Sequence, residues 1–340
     1  MWSPVVRFGD LLHLMVGGRG RWTYPVSMRL AMAQISSGTD PAENLELVVS
    51  ATERAAADGA DLVVFPEATM CRFGVKLGPI AEPLDGPWAD AVAGIAAQCG
   101  VSVVAGMFTP ALSPVASLAP ALSPVASLAP ALSPVASLAP ALSPVASLAP
   151  ELSPRERVRN TLLVVTPDGR RAGYDKIHLY DAFGFAESRT VEAGSEPVIV
   201  TVADCRVGLA TCYDIRFPRL FTALARAGAD LIVVPTSWGA GPGKLRQWQT
   251  LATARALDAT AFVAAVGQAE PSDPAVAESG APTGIGHSQI TDPFGSVVVA
   301  YDSEPRIEVH TVDPTVVGKA RTALAVLENE RDIAEPRLTL

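Results

Sequence analysis

Cys212 ends a short apolar run in GLATCYDIRFPRL, where strand-like residues give way to a helix-like segment. A thiol at such a turn sits at a sheet edge, and the amide N–H groups that follow it point toward whatever the sulfur attacks. Glu67, in VVFPEAT, and Lys176, in GYDKIHL, also stand at the ends of strand-like segments. They add a carboxylate and an ammonium to the nucleophile. Amide hydrolysis needs those three functions: a nucleophile, a group that takes and returns a proton, and positive polarity for an oxyanion.

The elements that must position these groups alternate between strand and helix. Met28 opens a first strand, and Asp40 followed by Pro41 reads as an N-cap and first helical position of a helix running toward Gly59. The run Asp61–Phe65 is a buried strand; a helix over Trp88–Gln98 leads to another strand at Val101–Phe108. The sequence Pro167-Asp168-Gly169 turns a hairpin whose second strand delivers Lys176, and a second hairpin turns about Pro293-Phe294-Gly295. The runs Cys205–Cys212, Ala229–Val234 and Ala261–Gly267 are too short for helices. The pattern is α/β, and open α/β sheets bind ligands beyond the carboxyl ends of their strands.

Composition sets bounds. The 340 residues are 49% hydrophobic, ample for a buried core, and the net charge of −9 disfavours nucleic acid and anionic membranes. The expected partner is a small molecule. No apolar stretch approaches the roughly 18 to 20 residues of a membrane helix. Four cysteines, Cys71, Cys99, Cys205 and Cys212, show neither zinc-site spacing nor the density of a disulfide scaffold, which implies a reduced, cytoplasmic protein without a metal or other cofactor. Cys71 lies close enough to Glu67 in sequence to border the same cleft.

Two segments stand apart. Residues 1–27 read as a flexible extension with a poor match to a signal peptide. From Ala111 to Pro150 the decapeptide ALSPVASLAP recurs four times unchanged, and a partial copy follows to Pro154. Its prolines disfavour any helix longer than a turn, and it contains no acid-base group, so it reads as a tolerated insertion rather than part of the site. Binding to a partner through this repeat is the non-enzymatic alternative.

The motifs FPEAT, KIHLYDAFGFAES, CYDIRFP and GHSQITDPFG, in that order, resemble those of the nitrilase, or carbon-nitrogen hydrolase, superfamily. The likeness runs from Met28 to about Tyr301 and is greatest to the amidase branch that includes deaminated-glutathione amidases and omega-amidases. It implies a four-layer α-β-β-α sandwich, a homodimer joined through a helical face, and a domain spanning 28–310 followed by a C-terminal tail, 311–340. It also implies cleavage of a small linear, carboxylate-bearing amide through a thioester, releasing ammonia, with nitrile or carbamoyl-amide hydrolysis as the alternative.

By that resemblance Cys212 is the nucleophile, Glu67 the general base, and Lys176 the oxyanion partner together with the amide N–H of Tyr213. Glu187, in GFAES, matches a second glutamate that orients the lysine and contacts substrate. Asp214 and Arg216 are expected to form a structural ion pair or cap. His178 and His287 are expected to be structural, not the base. Arg219 and Asp258 stand where the branch carries glutamates, a departure that bears on the substrate.

Overall fold

The computed structural model describes residues 27–111, 157–334 and 337. The N-terminal extension up to residue 26 and nearly all of the repeat lie outside the described residues.

The first half of the chain supplies strands β1 (Met28–Gln34), β2 (Leu62–Val64), β3 (Ser102–Pro110), β4 (Val158–Val165) and β5 (Arg171–Asp175), with helices α1 (Pro41–Ala57) and α2 (Pro87–Cys99) between them. A two-stranded ribbon, β6 (Asp181–Ala182) and β7 (Phe185–Ala186), follows. The second half holds β8 (Ile199–Val202), β9 (Cys205–Leu209), α3 (Pro218–Arg226), β10 (Leu231–Thr236), α4 (Lys244–Ala259) and β11 (Phe262–Gly267). It ends with α5 (Pro274–Ala277), β12 (Gln289–Thr291), β13 (Val297–Ala300), β14 (Arg306–Val312), α6 (Thr315–Leu324) and α7 (Val326–Asn329).

Two six-stranded sheets result, ordered β14-β1-β2-β3-β4-β5 and β13-β12-β11-β10-β9-β8. In each sheet the central strands run parallel and the outer ones antiparallel.

Strand parity explains the layers. Leu30 and Met32 of β1 face the second sheet, packing in one core with Val233 and Ala264. Ala31 and Ala33, on the other face, pack against α1 and α2 through Val48, Ala51, Trp88 and Val92. The second sheet repeats the scheme, with Ile232 and Val263 packed on Phe221 of α3 and Trp248 of α4. Three apolar interfaces therefore separate four layers, helices, sheet, sheet and helices, which is the α-β-β-α sandwich.

Local signals lie where the sequence puts them. Asp40 caps α1 by accepting from the Ala42 N–H, with Pro41 in the first turn. The boundary expected at residue 310 differs: it falls inside β14, which pairs antiparallel with β1 from Met28↔Val312 to Gln34↔Arg306. Residues 311 onward are no mere tail, since Val312, Val317 and Ala320 are buried. Where the insertion enters, the Ala111 N–H donates to the Arg157 carbonyl at 3.0 Å, closing the antiparallel β3-β4 stem.

Candidate active site

Glu67 follows β2, Lys176 follows β5, Cys212 follows β9 and Ser237 follows β10, so four strand ends deliver four polar groups to one place. The turn carrying Glu67 is docked onto β3: the Gly106 N–H donates to Pro66 O and the Met70 N–H to Gly106 O. A Cβ at position 106 would lie 2.5 Å from the Ala68 nitrogen and 2.8 Å from the Glu67 Cα. Only glycine fits so close an approach. The variant Gly106→Ala is expected to lose about 1–3 kcal/mol of stability, read by denaturant unfolding, and to lower turnover by displacing Glu67; an unchanged unfolding midpoint would refute this.

Glu67, Lys176 and Ser237 join Glu187, which follows β7, in a hydrogen-bonded polar cluster. Lys176 Nζ donates to Glu67 Oε1 and to Glu187 Oε2, both at 2.8 Å. Glu67, Lys176 and Glu187 are 0%, 2% and 2% exposed. Glu67 Oε2 accepts from the Ser237 N–H at 2.8 Å, and Glu187 Oε2 also accepts from the Tyr180 N–H at 2.7 Å. Burial alone would lower the Lys176 pKa, but the charges of Glu187 and Glu67 outweigh it and hold the ammonium well above its usual range.

Cys212 begins a 3-10 turn, Cys212–Arg216, with its backbone at φ +45°, a left-handed conformation costly for a side chain. Asp214 pins that turn. Its carboxylate accepts from the Thr211 N–H at 2.9 Å, the Tyr174 hydroxyl at 2.6 Å and the His178 N–H at 2.9 Å, and meets His178 Nδ1 at 2.7 Å. Cys212 Sγ lies 3.8 Å from the Ser237 carbonyl oxygen. Burial, reinforced by the charge of Glu67 and only opposed by Lys176, pushes the thiol pKa well up. An attack by the sulfur is therefore helped by a base beside it that takes the thiol proton.

The family model for carbon-nitrogen hydrolases matches residues 29–120 and 114–322. The chain belongs to the carbon-nitrogen hydrolase family. This carbon-nitrogen hydrolase is 49% identical over 314 residues to Hydrolase Rv0480c of Mycobacterium tuberculosis, covering 91% of this chain and 97% of the relative. It is 40% identical over 183 residues to the deaminated glutathione amidase of Escherichia coli O157:H7, covering 54% of this chain and 65% of that protein. Among solved structures, the NitFhit protein of C. elegans superposes with a TM-score of 0.70 at 24% identity, covering 90% of this chain and 65% of that one. These solved structures share the fold.

In this carbon-nitrogen hydrolase a pocket opens onto the cluster. Glu67, Lys176, Glu187, Cys212 and Tyr213 all line it, so the site residues expected from sequence are brought together. His178 stacks on Phe217 with ring centroids 3.7 Å apart and is held by Asp214; the His287 carbonyl accepts from Trp248 Nε1. Both histidines hold structure together. Two expectations need correction. Asp214 is a cap, but Arg216 does not pair with it: the guanidinium donates to Gln247 Oε1 at 2.7 Å and lines the pocket. Cys71 does not line the pocket; it is buried, donates to the Thr39 carbonyl, and burial pushes its thiol up to about 11.

Sequence reasoning missed Asn160 and Tyr180, and it read the loop Thr236–Lys244 as part of the pocket without a role for Ser237 or Lys244. Asn160 Nδ2 donates to Glu67 Oε1 at 2.8 Å and to Glu187 Oε1 at 3.0 Å. Its signal was available: Leu162 and Val164, on its face of β4, belong to the apolar core between the sheets, and an amide buried in such a series must have partners. Ser237 acts through its backbone, which no side-chain motif announces. Lys244 opens α4 with its Nζ 3.6 Å from the Phe183 ring centroid and 3.2 Å from the Tyr180 hydroxyl.

Proposed function

We propose that this carbon-nitrogen hydrolase cleaves a short linear amide bearing a carboxylate, forming a thioester on Cys212 and releasing ammonia. The observation that supports this reading is the convergence of Glu67, Lys176 and Cys212 on one pocket whose lining also holds two cations, Arg216 and Lys244. Among the described residues neither cation has a carboxylate within salt-bridge distance, in contrast to Lys176. Glu67, Glu187 and Lys176 sum to one negative charge and the two lining cations to two positive ones. A monoanionic substrate neutralises the site.

In this reading Glu67 accepts the thiol proton as sulfur attacks the amide carbon. The C–N bond breaks once the adduct collapses, and the proton passes to the departing nitrogen. The oxyanion meets the Lys176 ammonium and the Tyr213 N–H, donors already fixed in place before reaction. Water, deprotonated by Glu67, then releases the acid. Burial, with the neighbouring positive charge of Arg216 second, lowers the Lys244 pKa, so an anionic ligand would relieve both cations. All four cysteines are free, which suits a reducing, cytoplasmic setting, and we extend the proposal to a homodimer on the strength of the resemblance.

The test compares ammonia release from the monoamides of four- and five-carbon dicarboxylic acids with release from butyramide. The acidic amides are expected to have the higher kcat/KM. Arg216→Gln and Lys244→Met should each raise KM for them by about tenfold or more, reducing that preference. Equal kcat/KM for acidic and neutral amides would sink the substrate class.

A further inference from the structure

Asn160 touches every charged member of the polar cluster. Its backbone carbonyl accepts from the backbone N–H of Lys176 at 2.9 Å, and its side-chain nitrogen donates to both carboxylates, at 2.8 Å to Glu67 and 3.0 Å to Glu187. It is 1% exposed, on a strand fixed on both sides: Asn160 pairs with Phe108 of β3, and its neighbour Thr161 with Asp175 of β5. The amide orientation is determined by its surroundings, because a flip would turn Oδ1 toward two carboxylates. Oδ1 itself has no hydrogen-bond partner among the described residues, an expense the protein bears to keep the nitrogen where it is.

The consequence falls on the two oxygens of Glu67, which are not equivalent. Oε1 accepts from both Lys176 Nζ and Asn160 Nδ2, filling its two lone-pair directions. Among the described residues Oε2 accepts hydrogen bonds only from the Ser237 N–H, which leaves one direction open there. We propose that Asn160 is a positioning residue that directs the proton leaving Cys212 onto Oε2 of Glu67. The S–H bond breaks and the Oε2–H bond forms while sulfur bonds to the amide carbon; Oε2 later returns that proton to the departing nitrogen. The second hydrogen bond, to Glu187 Oε1, holds the two carboxylates at a fixed separation on either side of the single ammonium.

Without Asn160, Oε1 has an open direction of its own, on the side the amide had filled. A proton there is unproductive. The donor also stabilises the charged carboxylate, so losing it moves the acid limb of the rate profile to higher pH. The titratable groups facing Glu67 are Lys176, Glu187 and Cys212, and Arg216, Tyr180, Tyr213 and Lys244 line the same pocket. All of these are retained when position 160 alone is changed.

The inference rests on the proposed roles of Cys212 and Glu67, so its test has two readouts. In Asn160→Leu, close in volume but without a donor, kcat for the acidic monoamides should fall about 10²-fold with KM nearly unchanged. The acid limb of kcat should move up by about one pH unit. The rate of Cys212 alkylation by iodoacetamide, followed by peptide mass spectrometry, should show the same shift. That second readout decides the matter even if the parent protein hydrolyses none of these amides. Should Asn160→Leu fail to fold, Asn160→Ala, which removes the donor without adding a charge, takes its place. A folded variant whose acid limb stays put in the alkylation profile overturns the proposal, as does one whose kcat and KM change together without that movement.

Discussion

Cys212→Ala is expected to lower kcat by about 10⁵-fold or more while leaving the fold intact. The proposed nucleophile has no ready substitute among the described lining residues: Ser237 has its hydroxyl committed to the Pro282 carbonyl at 2.6 Å. Stability should scarcely change, because the left-handed backbone at φ +45° is paid by cysteine and alanine alike, and the Asp214 hydrogen bonds that impose it remain. Cys212→Ser should be nearly as inactive. A hydroxyl is harder to deprotonate than a thiol, and burial penalises its anion in the same way. Turnover of the alanine variant within about tenfold of the parent would exclude Cys212 as nucleophile.

Lys176→Met should have the largest effect on stability. The ammonium is buried between two carboxylates at 2.8 Å each, and removing one partner of a buried pair leaves charge uncompensated, typically at a cost of about 3–5 kcal/mol. Turnover should vanish with the proposed oxyanion donor. A second change, Glu187→Gln, removes one of the stranded charges and should restore part of the stability without restoring activity. The sign of the pH dependence follows from the raised pKa of Lys176: its contribution is fully present below the usual value of 10.5 and lost only as pH rises through the higher folded value. The deficit of the single variant should therefore be undiminished across the neutral range in denaturant titrations. A deficit below about 1 kcal/mol would show that the cluster adds little to the fold.

Much of this was legible from particular residues. The cap at Asp40-Pro41, the hairpin at Pro167-Asp168-Gly169 and the short apolar runs ending in Glu67 and Cys212 are local signals, and local chemistry determines them. The second sheet stacking on the first came only with the family resemblance, because alternation in β1 says that two faces are buried but not against what. Asn160 and Ser237 were missed for different reasons. The first is a polar residue in a strand whose partners, Glu67 and Glu187, are remote in sequence, and the second works through a peptide N–H. Arg216 was misassigned because proximity to Asp214 in sequence suggested an ion pair. The 3-10 turn instead sends the carboxylate inward to Thr211, Tyr174 and His178 and the guanidinium out into the pocket.

The antiparallel pairing of β14 with β1 has a consequence for synthesis. The first described strand to leave the ribosome acquires its outer neighbour only when β14 follows, so β1 must wait with an open edge until Arg306–Val312 has been made. Its inner neighbours cannot protect it, since β2 and β3 lie on its other side. Truncations that stop short of Arg306 leave that edge, and the apolar faces of Leu30 and Met32 next to it, without their final partner. Soluble yield of nested C-terminal truncations should fall abruptly there, marking the last strand as the clasp of the entire sandwich.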